Sequence, residues 1–409
     1  MLLTAVTRLE DAFNTQVART LSDLGWRPEL IAYGGFGNAH RVRIIARALM
    51  APTYFEEKYE VWANRHGLPS WYQLHSRAAD RLPHAFGEVV KDAIGADEGD
   101  DTNTTSHMRG ERGWRQFVDA QVPKAPVLVT VGNRKLMVYT DRGGYVDLVV
   151  EGHGLEPGWH AATLQALKPD EVARGEKRVR ASRPIAVPVR VVSEQERVGL
   201  VSDVDDTVMV SWLPRPLVAA KNAFFTYVSS RQAVPGMANL LQQISHMQTS
   251  KGRVGTLPAP AVYLSTGAWN VAPSLRRFLF RSNFPTGTPL MTDWGPSQTG
   301  WFRSGREHKR SQLRELAEMF PWVKWVLVGD DGQHDPSIYT EFAREHPQNV
   351  AAIFVRSLTT TEQVLNHGAP DPREELGPLI KSLDPKIPVV VGEDGFELLH
   401  RARALGILR

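Results

Sequence analysis

Apolar residues at Leu2, Val6, Leu9, Phe13, Val17, Leu21 and Leu24 recur at steps of three and four. That spacing draws one apolar stripe and predicts a helix packed on its own domain. Gly34, Gly35, Phe36, Gly37 and Asn38 predict a glycine turn before a strand at 42–45, since the lysine and hydroxyl of a phosphate-binding loop are missing. Residues 52–82 are mixed and aromatic-rich, which suits short helices, and the polar run inside 95–113 has nothing to bury and predicts a mobile insertion. β-Branched and aromatic runs at 127–131, 136–139, 145–150, 159–164 and 185–192, parted by Gly-rich turns, predict a β-sandwich-like domain. His153 and His160 stand there alone, without a ligand cluster, so this part is expected to be a scaffold or targeting module.

Beyond residue 196 the pattern changes to short apolar strands, at 261–264, 325–328 and 351–355, alternating with helical stretches. This is the signature of an α/β fold with a parallel sheet covered by helices. A helix opening near Glu307 buries Leu313, Leu316, Ala317 and Phe320. Two domains follow, 1–195 and 196–409.

Composition narrows the chemistry. With no cysteine among 409 residues, disulfides, thiolate nucleophiles and thiolate metal sites are excluded, and any metal must sit on oxygen or imidazole. A net charge of +3 is no nucleic-acid signature. No transmembrane segment or secretory leader is legible, so the expected location is cytoplasmic, in part peripheral to the membrane.

The polar residues concentrate at predicted strand ends, where ligands collect in open parallel sheets. Asp203, Asp205 and Thr207 alternate after the apolar run at 198–201, which would put two carboxylates and a hydroxyl on one face of an extended chain. Such a cluster is costly without a cation or donors, so it reads as a metal-assisted reaction centre; a solvated strand-to-turn junction is the competing reading. Ser265, Thr266 and Gly267 end a second strand, and Gly329, Asp330, Asp331 and Asp335 follow a third. Lys309 falls in the first turn of its helix, where a cation opposes the dipole, unless it serves a phosphoryl group.

Asp203, Asp205 and Thr207, then Ser265, then Lys309, then Asp330 and Asp335, resemble in that order the four motifs of the haloacid dehalogenase superfamily of phosphotransferases. The finer wording, Gly-Leu-Val-Ser-Asp-Val-Asp-Asp-Thr at 199–207, Tyr-Leu-Ser-Thr-Gly-Ala-Trp-Asn at 263–270, His308-Lys309 and Gly-Asp-Asp-Gly-Gln-His-Asp-Pro from 329, resembles the actin-patch-protein type of phosphatidate phosphatase over about 197–409. The resemblance implies a Mg²⁺-dependent phosphatase with Asp203 as nucleophile and Asp205 as acid and base, Thr207 positioning Asp205 by a hydrogen bond. It also implies metal ligation by Asp203, Asp330 and the Asp205 main chain. Ser265 or Thr266, with Gly267 and Lys309, would bind phosphate, and Asp335 would orient the metal or Lys309.

Asp331 stands where relatives have serine, placing an extra charge near the metal. The implied substrate is phosphatidate at a membrane surface, and the short spacings between motifs leave little room for a large lid. A phosphatase on phosphoproteins or nucleic-acid ends, or a non-catalytic binding module of the same fold, are the alternatives. Trp212, Phe224, Phe225 and Trp269 are expected in core packing rather than on an acyl chain, and Arg276 and Arg277 on a solvated face.

Overall fold

The computed structural model describes residues 27–51, 121–175, 182–210, 232–247, 257–292, 305–332, 334–359 and 373–409. The helix expected over residues 2–24, the mixed segment 52–82, the insertion at 95–113 and Trp212, Phe224 and Phe225 lie outside them. The described residues fall into two compact units. One lies within Met1–Ala32, Ile44–Val149 and Ala161–Pro188, the other within Tyr33–Arg43, Val150–His160 and Val189–Arg409.

Strands β1 (Arg27–Gly37), β2 (Arg41–Ala51), β3 (Pro126–Val131), β4 (Arg134–Tyr139), β5 (Tyr145–Glu151), β6 (Gly158–Ala166) and β7 (Ile185–Val191) hydrogen-bond into one sheet, in the order β4-β3-β6-β7-β1-β2-β5. The β-rich expectation is met strand by strand, with β1 added and with one continuous sheet where a sandwich has two. Gly34 to Gly37 run inside β1, not in a turn. Asn38 makes the turn instead, its Oδ1 accepting from the backbone N–H groups of His40 and Arg41 at 2.9 and 3.0 Å. Gly37 is needed for close approach, since a Cβ there would lie 2.1 Å from the Arg41 carbonyl oxygen. His153 is fully buried and its Nε2 pairs with the Asn38 carbonyl at 2.9 Å, a packed histidine rather than a ligand.

The second sheet carries β8 (Val198–Asp203), β9 (Ala261–Ala268), β10 (Thr288–Thr292), β11 (Lys324–Asp330), β12 (Val350–Arg356) and β13 (Val389–Gly392). Their order is β10-β9-β8-β11-β12-β13 and all neighbours are parallel. Helices α1 (Met237–Ser245), α2 (Ala272–Arg281), α3 (Gly305–Met319), α4 (Asp335–Glu345), α5 (Arg373–Lys381) and α6 (Gly395–Ala404) connect and flank the strands. α1 packs on α6, α3 on α4 and α4 on α5.

Burial from Trp325 through Asp330 is unbroken in β11, because helices cover both faces and no side of the strand meets water. The chain builds outward from β8 through β9 to β10, then crosses back to β11 and builds the other way. That reversal between β8 and β11 is the switch point at which doubly wound sheets bind ligands. Among the described residues no helix is long and apolar enough to cross a membrane.

Candidate active site

Asp203 ends β8 and Asp330 ends the adjacent β11, where Ser202 pairs with Val328 in parallel register. The two acids therefore leave neighbouring strands on the same edge. The extended face stops at Asp203, contrary to the expected alternation through Thr207. The chain curls over Val204–Val208, with the Val208 N–H on the Val204 carbonyl at 3.0 Å and Asp206 in the left-handed region at φ 57°. Asp205 ends up half-buried and Thr207 fully buried, and the Thr207 Oγ1 makes no hydrogen bond, so the expected bond to Asp205 is absent.

Lys309 is the fifth residue of α3, one turn deeper than expected, and is almost wholly buried. Its Nζ donates to Asp203 Oδ1 at 2.7 Å and to Asp335 Oδ1 at 2.5 Å. Asp335 is the first residue of α4, where the helix dipole favours a carboxylate, and its side chain closes on the Gly329 backbone. Gly329 makes that approach possible, because a Cβ there would sit 2.6 Å from Asp335 Oδ2. Asp330 Oδ1 accepts from the Gly332 N–H at 2.7 Å. One turn along α4, buried Tyr339 donates to the Val328 carbonyl at 3.2 Å and floors the acids.

Carboxylate oxygens of Asp203, Asp330 and Asp335 lie within 4.8 Å of one another, all buried. Burial pushes the Asp203 carboxyl up to about 8, against the opposing pull of Lys309 and with Asp335 and Asp205 adding to the rise. Burial and the neighbouring Asp335 and Asp203 hold Asp330 well above the usual carboxylate range, and burial raises Asp335 despite Lys309. For Lys309, burial works against the charge, yet Asp203 and Asp335 outweigh it and raise its pKa.

With all four groups ionised, three carboxylates face one ammonium, and Oδ2 of each acid is buried without a hydrogen-bond partner. Desolvating such unpaired charge costs several kcal/mol per ion, roughly. An oxygen-only set with orphaned lone pairs and excess negative charge fits a hard divalent cation such as Mg²⁺.

Removing the ammonium leaves these acids uncompensated. Lys309→Met is therefore expected to lower unfolding free energy in chelator at pH 8 by about 3–5 kcal/mol. Urea denaturation checks this, and a loss below about 1 kcal/mol would contradict the buried-pair assignment.

Ser265 Oγ accepts the Gly267 N–H at 2.9 Å and donates to Asp205 Oδ2 at 3.4 Å, so the second strand end is joined to the half-buried acid. The Gly267 N–H is thus engaged by Ser265. Thr266 is half-buried, and its carbonyl accepts from Thr292 at 2.8 Å. The extra charge expected near the metal is turned aside: Asp331 binds the Ser357 hydroxyl at 2.8 Å and the Leu358 N–H at 2.9 Å. Trp269 is buried and stacks on Tyr33 with centroids 4.8 Å apart, as core packing predicts. Arg276 is half-buried and donates to the Tyr33 carbonyl at 2.5 Å, which departs from the solvated face expected for it; Arg277 is exposed. Sequence reasoning gave Gly329, Tyr339 and Arg356 no role of their own, because those roles arise only from contacts between elements far apart in the chain.

Residues 198–357 match the family model for the catalytic domain of phosphatidate phosphatase APP1. The resemblance expected to run to residue 409 therefore stops at Ser357 in this comparison. Phosphatidate phosphatase APP1 of Saccharomyces cerevisiae is 24% identical over 163 residues, 39% of this chain and 26% of that protein. An uncharacterised protein of Schizosaccharomyces pombe is 22% identical over 169 residues, 41% of this chain and 26% of that protein. The chain thus spans about a quarter of the length of these curated relatives. A glycosyl hydrolase family 2 member from Bacteroides cellulosilyticus aligns over 92% of this chain and 41% of its own with a TM-score of 0.23 and 10% identity, too low to bear on the fold. Residues 198–357, where the buried acids and Lys309 meet, are therefore similar to the catalytic domain of phosphatidate phosphatase APP1.

Proposed function

We propose that this centre is a Mg²⁺-dependent phosphomonoester hydrolase of the haloacid-dehalogenase-like type, acting on phosphatidate to release diacylglycerol. The observation that carries the reading is the meeting of Asp203, Asp330, Asp335 and Lys309 in one buried cluster inside the family-matched segment. Asp203, Asp330 and Asp335, with the Asp205 main-chain carbonyl, would hold Mg²⁺, which supplies charge stabilisation to the transferring phosphoryl group.

In the first step a carboxylate oxygen of Asp203 attacks phosphorus in line. An aspartyl-phosphate bond forms as the ester P–O bond breaks, and Asp205 gives its proton to the departing alkoxide. A water then attacks the phosphoryl phosphorus, passes a proton to Asp205 and restores Asp203 with release of phosphate. An ammonium has three N–H donors, and Asp203 and Asp335 take two of those on Lys309; the third serves a phosphoryl oxygen. The Ser265 hydroxyl, turning its one hydrogen away from the long contact with Asp205, would hold another. A bilayer substrate places the working protein at a membrane surface, on the cytoplasmic side.

The test is kcat/KM on phosphatidate vesicles, a phosphopeptide, a 5′-phosphorylated oligonucleotide and small phosphate esters. Phosphatidate is expected to be preferred. Preference for the peptide or oligonucleotide overturns the lipid assignment, and no turnover on any of them indicates a binding module.

A further inference from the structure

Arg356 closes β12 and is buried, a rare place for a guanidinium, and the reaction described above gives it no part. Its Nη1 donates to the main-chain carbonyl of Asp206 at 2.7 Å and its Nε to the carbonyl of Glu393 at 3.0 Å. Asp206 is the left-handed residue of the curl after β8, at φ 57°. A non-glycine residue there is strained unless its surroundings hold it. Both of its peptide groups are held: the N–H donates to the Met209 carbonyl at 2.8 Å, and the carbonyl accepts from Arg356.

The backbone that carries this guanidinium is itself fixed from two sides. The Arg356 carbonyl accepts the Asp331 N–H at 3.0 Å, and the next residue, Ser357, donates its N–H to Gly392 at 2.8 Å and its hydroxyl to Asp331. Glu393 lies in the turn between β13 and α6, where Asp394 caps the helix by accepting the Glu397 N–H at 2.9 Å. That turn lies beyond residue 357, outside the family match. A chain of hydrogen bonds therefore runs from the β13–α6 turn, through one buried cation, to the Asp206–Thr207 peptide, one residue past Asp205.

We propose that Arg356 is a positioning residue: by holding the Asp206 carbonyl it keeps Asp205 aimed for proton transfer, with the Glu393 turn as its anchor. The inference rests on the reading above, in which Asp205 protonates the leaving group. A misplaced acid matters most where the leaving oxygen needs a proton, as in an alkyl ester, and least for nitrophenolate, which leaves as the anion. kcat/KM reports the step through ester cleavage and excludes the later hydrolysis.

The experiment compares full-length wild type, Arg356→Lys and Arg356→Gln on a short-chain phosphatidate and on p-nitrophenyl phosphate, with both esters assayed on one preparation. Any unfolded fraction then cancels from the ratio. Both variants are expected to lose at least about tenfold more on the alkyl ester, a share of the roughly 10²–10⁴-fold that general acid catalysis supplies. Equal losses on both esters, total loss on both, or no loss at all would overturn the inference. A wild type inactive on every ester would instead bring down the phosphatase reading, and this inference with it.

Discussion

Asp203→Asn is expected to abolish phosphate release while leaving the protein at least as stable as wild type. The amide keeps the shape of the side chain but cannot attack phosphorus, and loss of a covalent nucleophile costs about 10⁴-fold or more in kcat. Its effect on stability runs the other way. Asp203 is buried beside two other acids, and burial alone disfavours its charge. Removing one ionisation relieves that crowding, while Lys309 keeps Asp335 as a partner at 2.5 Å. In chelator at pH 8 the melting temperature of the variant should equal or exceed that of wild type. A variant retaining more than about one-hundredth of wild-type kcat would contradict the nucleophile assignment.

Withdrawal of the divalent cation should have a comparable effect on activity, and its effect on stability should depend on pH. Turnover is expected to vanish in excess chelator and to return with Mg²⁺; full activity in chelator would contradict the assignment. An aspartyl carboxyl titrates near 3.9, roughly, in an unfolded chain. In the folded, cation-free protein burial raises that of Asp203 to about 8. Between these values the folded state binds the extra proton, so this group's contribution to stability is complete below the lower value and is lost as pH rises through the higher one. Mg²⁺ binds the ionised form, so the stabilisation it confers should grow across the same window.

At a hundredfold excess over Kd the gain approaches about 2.7 kcal/mol. Melting curves with and without Mg²⁺ at pH 5.5 and pH 8 decide the matter: the larger rise belongs at pH 8, and an equal or larger rise at pH 5.5 would contradict the account.

The parallel sheet was legible because its strands are buried on both faces and read as short apolar runs: β8, β9, β11 and β12 all fall where residue patterns put them. β10 and β13 were not, since Thr288–Thr292 carries a proline and Val389–Gly392 is four residues directly after a proline-rich stretch. β1 hid behind three glycines that locally suggest a turn. Within the site, Asp203, Lys309, Asp330 and Asp335 could be picked out because charged residues directly after apolar strands or at the start of a helix have no packing reason to be there.

The curl at Val204–Val208 could not be foreseen. It depends on the Met209 carbonyl and on Arg356, which comes from a strand two places away in the sheet. Asp331 misled for a similar reason, as its partners Ser357 and Leu358 follow a different strand.

The most direct measurement is chemical capture of the phosphorylated protein. Wild type, acid-quenched during turnover of a ³²P-labelled ester, should carry hydroxylamine-labile label on the peptide containing Asp203, and Asp203→Asn should carry none. Rapid turnover with no label on that peptide, or with label on another residue, would contradict the account.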